Sequence, residues 1–98
     1  MSSSKVSAMA ITKPNNGKDD EFIQVLRELS GFLRQKGYGS DRLYRDAKTQ
    51  HYINVREWDS EQQAMTAHQD PELHRFWARL GKISKTVKIY ERLEEISI

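Results

Sequence analysis

The sequence predicts an α+β fold whose elements follow one another as strand, helix, strand, strand, helix, strand. Two observations carry the order. Apolar residues recur at spacings of three and four from Phe22 to Leu33 and again from Leu73 to Leu80, the signature of helices with one buried face. Stretches rich in branched and aromatic residues lie before, between and after those stripes and are bounded by turn formers. A third observation, the length of 98 residues, fits one domain over 1–98 with a modest core of its own.

Residues 1–4 are polar and read as a frayed start. Residues 5–12 (KVSAMAIT) lean apolar, carry small side chains and stop at the turn formers Lys13-Pro14-Asn15-Asn16-Gly17, so they predict a first strand and a loop. A helix follows from Asp20. Phe22, Val25, Leu26, Leu29, Phe32 and Leu33 share its buried face, acidic residues suit its start, Arg34 and Lys36 its end, and Gly37 its C-cap. Residues 38–45 and 51–58 predict a hairpin of two strands around the polar stretch 46–50. Ser60 with Gln63 is a capping-box pair that starts a helix just after Trp58. That helix breaks at Asp70-Pro71, where Asp caps a new piece with Pro in its first turn, and Gly81 is expected to end it. Residues 85–93 (KTVKIYERL) alternate as a last strand. The order is the split β-α-β, ferredoxin-like plan, β-α-β-β-α-β, an antiparallel sheet with both helices on one face. The other face then meets water or a second sheet.

Composition excludes several functions. Net charge is only +2 with both signs interleaved, which gives no electrostatic footprint for nucleic acid. No apolar run approaches the ~20 residues that span a bilayer, so no membrane role is expected. The absence of Cys removes thiol chemistry and fits a cytoplasmic address. There is no phosphate-cradling glycine loop, since Gly37-Tyr38-Gly39 precedes a strand, and no nucleophile-elbow serine. The three His residues stand at spacings that make no helical metal pair, so neither a metal nor any other cofactor is expected.

Strand parity supplies the candidate site. Tyr52, Asn54, Arg56 and Trp58 share one face of the third strand and Ile53 and Val55 the other. The apolar pair suits the helices, and the large amphipathic set suits a pocket wall on the opposite side. The last strand divides in the same way, with Val87, Ile89 and Leu93 on one face and Lys88, Tyr90 and Arg92 on the other.

From residue 53 onward the chain resembles the antibiotic biosynthesis monooxygenase family. The shared features are a strand ending in Trp58, Ser60 opening a helix, Ala67-His68, a break at Pro71 and a helix with Phe76 and Trp77. With the element order also matching, the resemblance covers nearly the whole chain. It implies a dimeric α/β barrel in which the sheets of two copies face one another and each protomer holds a pocket. It also implies kinship with small oxygenases that oxidise quinol-like or polyketide aromatics without metal or flavin, and with haem-degrading enzymes. The haem-degrading branch is less similar. It carries an Asn on the first strand where this chain has Val6-Ser7-Ala8-Met9-Ala10, and its haem-ligating His falls near Ala78, with His74 one turn earlier.

His68 is the candidate base, because a His at a helix break carries protons near neutral pH and matches the family's Ala-His position. The structural alternative is a His that satisfies helix-end carbonyls. His74 reads as a boundary residue and His51 as surface. Asn54 is a second catalytic candidate, and Tyr52, Arg56, Trp58, Trp77 and Tyr90 are candidate substrate-binding residues. Trp58 and Trp77 serve equally as core or dimer contacts, and Arg56 could instead form a cross-strand salt bridge to a Glu. Two functions from different classes follow: a cofactor-independent monooxygenase of an electron-rich aromatic, or a non-catalytic or stress-associated dimer binding a small hydrophobic ligand. A haem-handling protein ranks third. Catalysis requires His68 and Asn54 in one cavity, and mere binding does not.

Overall fold

The structure is a computed structural model that describes residues 6–98. Residues 1–4, read as a frayed start, and Lys5 lie outside the described residues. The elements are β1 (Val6–Pro14), α1 (Asp19–Gln35), β2 (Gly39–Arg45), β3 (Tyr52–Trp58), α2 (Glu61–His68), α3 (Pro71–Ile83) and β4 (Ser84–Leu93). The strands form one antiparallel sheet in the order β2-β3-β1-β4. This is the predicted ferredoxin-like order, with the second helix split in two.

Helix α1 forms where the stripe predicts it. Phe22, Val25, Leu26, Leu29, Phe32 and Leu33 are all buried, and burying a side chain of this kind contributes about 1.5–3 kcal/mol. Asp19, Asp20 and Glu21 occupy its first turn, and Gly37, at φ 73°, reverses the chain after its last turn. Ser60 accepts a hydrogen bond from the Gln63 amide at 3.0 Å and starts α2. Asp70 accepts from the Glu72 amide at 2.9 Å and starts α3 with Pro71 at its first position.

Two boundaries differ from expectation. Strand β1 runs through Lys13-Pro14 rather than stopping at Thr12, pairing there with Lys85 and Ser84; β3 has already ended opposite Thr12, so Pro14 has a strand on one side only, where proline is tolerated. Helix α3 does not end at Gly81 but continues to Ile83. Its last carbonyls are met from outside: the Asn15 amide donates to Ile83 O at 2.8 Å, the Asn15 side chain to Lys82 O at 3.3 Å, and the Ser84 hydroxyl to Leu80 O at 2.6 Å. With those acceptors satisfied, no glycine is needed to stop the helix.

The face assignment on the sheet is reversed from the prediction. Phe22 of α1 packs on Tyr52 with ring centroids 5.3 Å apart, and Trp58 packs on His68 of α2 at 5.3 Å. Tyr52, Asn54, Arg56 and Trp58 therefore lie under the helices, with Ala8, Ala10 and Thr12 of β1 beside them. Ile53 and Val55 point to the open side, opposite Ile11 and Met9 of β1 and Tyr44 and Arg42 of β2. Parity had grouped the residues correctly, but the apolar set belongs to the uncovered face. Alternation also fails along β4, where the register shifts twice against β1. Ile89 stands opposite Ala10 on the helix side, while Tyr90 and Leu93 stand opposite Met9 and Ser7, so Ile89 and Leu93 do not share a face as simple alternation requires.

Candidate active site

The cavity exists because the floor is made of small residues. Ala8 and Ala10 sit at the centre of the helix-covered face, and Gly81 faces them from α3. Phe22, Leu26 and Leu29 of α1 and Leu80 of α3 wall a space of about 490 Å³ above that floor. This is the size range of a pocket for a small organic ligand. Asn54, Arg56, Trp58, His68, Trp77 and Tyr90 all line it; Tyr52 does not. Tyr52 is a core residue whose hydroxyl donates to Asp19 at 2.9 Å and ties β3 to the start of α1. Burial, reinforced by that bond, holds its phenol above the usual tyrosine range.

Asn54 and His68 thus meet at one cavity. The Asn54 Oδ1 is buried and, among the described residues, is the side-chain polar atom left without a partner. An unsatisfied buried acceptor costs about 1–3 kcal/mol, so its presence in a cavity wall calls for an explanation beyond folding. His68 closes the last turn of α2. Its Nδ1 lies 2.6 Å from Ala64 O, and a carbonyl only accepts, so Nδ1 carries the proton of the neutral ring and Nε2 keeps the lone pair. The ring lies between two indoles, 5.3 Å from Trp58 and 5.5 Å from Trp77. The helix-end alternative for His68 is met by the Nδ1 contact, and it is the same contact that fixes the basic tautomer at Nε2.

Several contacts hold this corner. Tyr38 donates to Asp70 at 2.7 Å, joining the start of β2 to the break between α2 and α3. That bond, with the Glu72 amide, holds the Asp70 carboxyl below its ordinary range and raises the Tyr38 phenol above its own. His74 places Nε2 2.6 Å from His68 O and stacks on Trp77 at 5.4 Å. It can ligate through Nε2 only by giving up that carbonyl. Trp58 is buried because β2 presses against β3 at Gly39, where a Cβ would collide with the Glu57 carbonyl and crowd the Trp58 Cα at 3.0 Å.

Arg56 resolves toward its structural alternative, with Asp41 of β2 as partner rather than a Glu. Its Nε and Nη2 donate to the two Asp41 oxygens at 2.6 and 2.8 Å, and the guanidinium lies 5.3 Å from the Trp58 ring centre. This bidentate pair is largely buried, at 12% and 6% side-chain exposure, so Arg56 orients Trp58 more than it offers free charge to an anion. Among the described residues no three His, Cys, Asp or Glu side chains gather as metal ligands, and no helix is long and apolar enough to cross a membrane.

The sequence profile of antibiotic biosynthesis monooxygenases matches residues 6–80, which include the whole pocket wall except α3's last turn and β4. The chain belongs to the antibiotic biosynthesis monooxygenase family. No curated protein matches its sequence. Its fold is similar to that of SnoaB, a cofactor-independent oxygenase from Streptomyces nogalater, at 16% identity and a TM-score of 0.76, covering 95% of this chain and 97% of that one. It is also similar to a protein of Bacteroides thetaiotaomicron described as a possible oxidoreductase, at 8% identity and a TM-score of 0.76, covering 92% and 99%. A third similar structure is Rv0793 of Mycobacterium tuberculosis, at 17% identity and 0.73, covering 96% and 100%. Identities this low establish the shared fold, while chemistry must be argued from the site.

On the β4 side of this family member's pocket, sequence reasoning named Tyr90 but not its neighbours. Thr86 and Glu91 line the cavity, as do Thr12 of β1 and Ser84 at the α3–β4 junction. The two register shifts in β4 turn Glu91 and Ile89 toward the helices, and a bulge leaves no mark in a pattern of alternating residues.

Proposed function

We propose that the protein is a small cofactor-independent monooxygenase of an electron-rich aromatic, quinol-like or polyketide-like, acting in the cytoplasm as a homodimer. The single observation that carries the reading is the meeting of His68, held in its Nε2-basic tautomer, with the unpartnered Asn54 Oδ1 in one mostly apolar cavity. A hydroquinone bound there loses an O–H proton to Nε2. The anion passes one electron to dioxygen, and the resulting radical and superoxide join at a ring carbon to form a C–O bond. Protonation of the peroxide and loss of water, which takes the hydrogen from that carbon, leave a hydroxyquinone. One oxygen atom enters the product, the other leaves as water, and the substrate supplies all four electrons. The Asn54 Oδ1, an acceptor, takes a hydrogen bond from a neutral hydroxyl of the substrate and so positions the ring, and the apolar side chains of Leu26, Leu29 and Trp77 pack against it.

Dimerisation is supported by the open face, where Met9, Ile11, Ile53 and Val55 are half-buried but carry no helix. A sheet packed on a second sheet would bury that set.

The test uses quinols under labelled dioxygen. Protein-dependent transfer of one labelled atom into the product is expected, which separates oxygenation from the autoxidation that quinols undergo unaided. The competing reading, a dimer that only binds a hydrophobic ligand, draws on the mostly apolar lining of Ala8, Ala10, Leu26, Leu29, Leu80 and Ile89. Saturable binding with no label incorporated would favour it.

A further inference from the structure

The cavity has polar groups in two places, and the mechanism above uses only one. His68 and Asn54 serve the end beneath α2. Toward the other end, between α1 and the last turn of α3, stand Thr12 of β1 and Thr86 of β4. They are directly opposite one another across the β1–β4 pair and on the helix side, since Thr12 is also opposite Tyr52. Thr12 is half-buried and Thr86 exposed on the edge strand, so both hydroxyls are open to solvent or a ligand; among the described residues neither makes a side-chain hydrogen bond, whereas Ser84 close by is committed to Leu80 O. Around them the walls are apolar: Phe22, Leu26 and Leu80.

The spacing follows from the register. Asn54 is opposite Ala10, two residues before Thr12 on the same strand. With a rise of about 3.4 Å per residue and about 4.8 Å between strands, Thr12 lies about 8 Å from Asn54 and Thr86 about 12 Å, backbone to backbone. A fused aromatic lying along β1 covers that distance. We propose that Thr12 and Thr86 form a second polar subsite that takes a hydroxyl or carbonyl oxygen at the end of a fused aromatic ligand remote from His68. The preferred ligand then carries oxygen at both ends, and this pair sets the preference. The proposal rests on the aromatic-oxygenase reading for the identity of the ligand, but its test is a binding measurement and needs no turnover.

Trp58 and Trp77 line the cavity, so quenching of their fluorescence reports occupancy. The probes are 2,6-dihydroxynaphthalene, with an oxygen at each end, and 2-naphthol, which lacks the second. A neutral hydrogen bond is worth about 0.5–1.5 kcal/mol net, so the wild type should bind the diol roughly two- to tenfold more tightly. Thr12→Val with Thr86→Val keeps the branched shape that strands favour and removes both hydroxyls; it should abolish the preference by weakening the diol while 2-naphthol binds as before. Thr86→Ser should keep it. If the double variant does not fold, Thr86→Val alone, on the exposed edge strand, should reduce the preference. Equal binding of the two probes by the wild type, a preference that survives removal of the hydroxyls, or failure to bind either probe overturns the subsite. A protein that shows the preference yet incorporates no labelled oxygen from any quinol would refute the oxygenase reading and leave the subsite standing.

Discussion

On the helix-covered face of the sheet, Asn54, Arg56 and Trp58 stand beside Ala8 and Ala10, and the small residues leave a cavity between them and Leu26 and Leu29. On the opposite face, Met9, Ile11, Ile53 and Val55 stand side by side with no helix over them. Along the central strands β1 and β3 the covered side is thus the more polar and the uncovered side the more apolar, while Arg42 and Lys88 flank the apolar set on the outer strands. The usual expectation, apolar under the helices and polar outside, is inverted because each face has a task beyond folding. One leaves ordered polar groups around a space, and the other presents a half-buried apolar set that a second sheet could cover.

The difference can be broken at either face. Trp58→Ala removes a buried ring from the helix side and should cost about 3–5 kcal/mol in chemical denaturation while the assembly state is unchanged. Val55→Asp puts a charge on the open side, and light scattering should then find an 11.5 kDa monomer where the wild type gives twice that mass. If Trp58→Ala instead dissociated the protein and Val55→Asp left it intact, the faces would have been assigned the wrong tasks.

A smaller effect sharpens the cavity itself. Asn54→Leu replaces the unpartnered buried acceptor with an apolar group of similar size, so it should raise stability by about 1–3 kcal/mol while impairing turnover. A loss of stability would mean that Asn54 is already satisfied in the folded protein and is not held for a ligand.

The smallest effect concerns the Tyr38–Asp70 bond at the corner that carries His68. The Asp70 carboxyl is depressed when folded, so its contribution to stability is present above the ordinary carboxylate value near pH 4 and is lost as pH falls through the lower folded value. The Tyr38 phenol is raised by the same bond, so its contribution is present below the ordinary value near 10 and is lost as pH rises through the higher folded one. Asp70→Asn should flatten the acid limb of a melting-temperature profile. An acid limb unchanged from the wild type would show that other carboxylates account for it.

Local chemistry made most of the fold legible. The α1 stripe, the Ser60 cap and the Asp70-Pro71 break each act through neighbours in the chain, and each stands where it was expected. The reversal of the sheet faces was not legible, because alternation tells which residues share a face and says nothing about what covers it. Ile53 and Val55 looked like core because apolar residues usually are, and only the Phe22–Tyr52 and Trp58–His68 contacts decide otherwise. The candidate site was read from family-like residues at Trp58 and Ala67-His68 together with the polar parity set. It came together except for Tyr52, which the Asp19 bond draws to the start of α1, and Tyr90, which borders the cavity but stands opposite Met9 on the open side of the sheet. Thr86 and Glu91 were out of reach because the bulges that turn them inward are set by pairing with β1, a long-range property.

The central claim is that Nε2 of His68 takes the proton that starts the reaction. On a quinol that the wild type oxygenates, His68→Ala should lower the rate on the order of 10²–10⁴-fold, with the pH profile shifted to alkaline values as solvent takes over deprotonation. Far-ultraviolet circular dichroism should be unchanged, because His68 is exposed at the end of a helix and contributes little to the core. Full activity in His68→Ala, with the fold intact, would contradict the account.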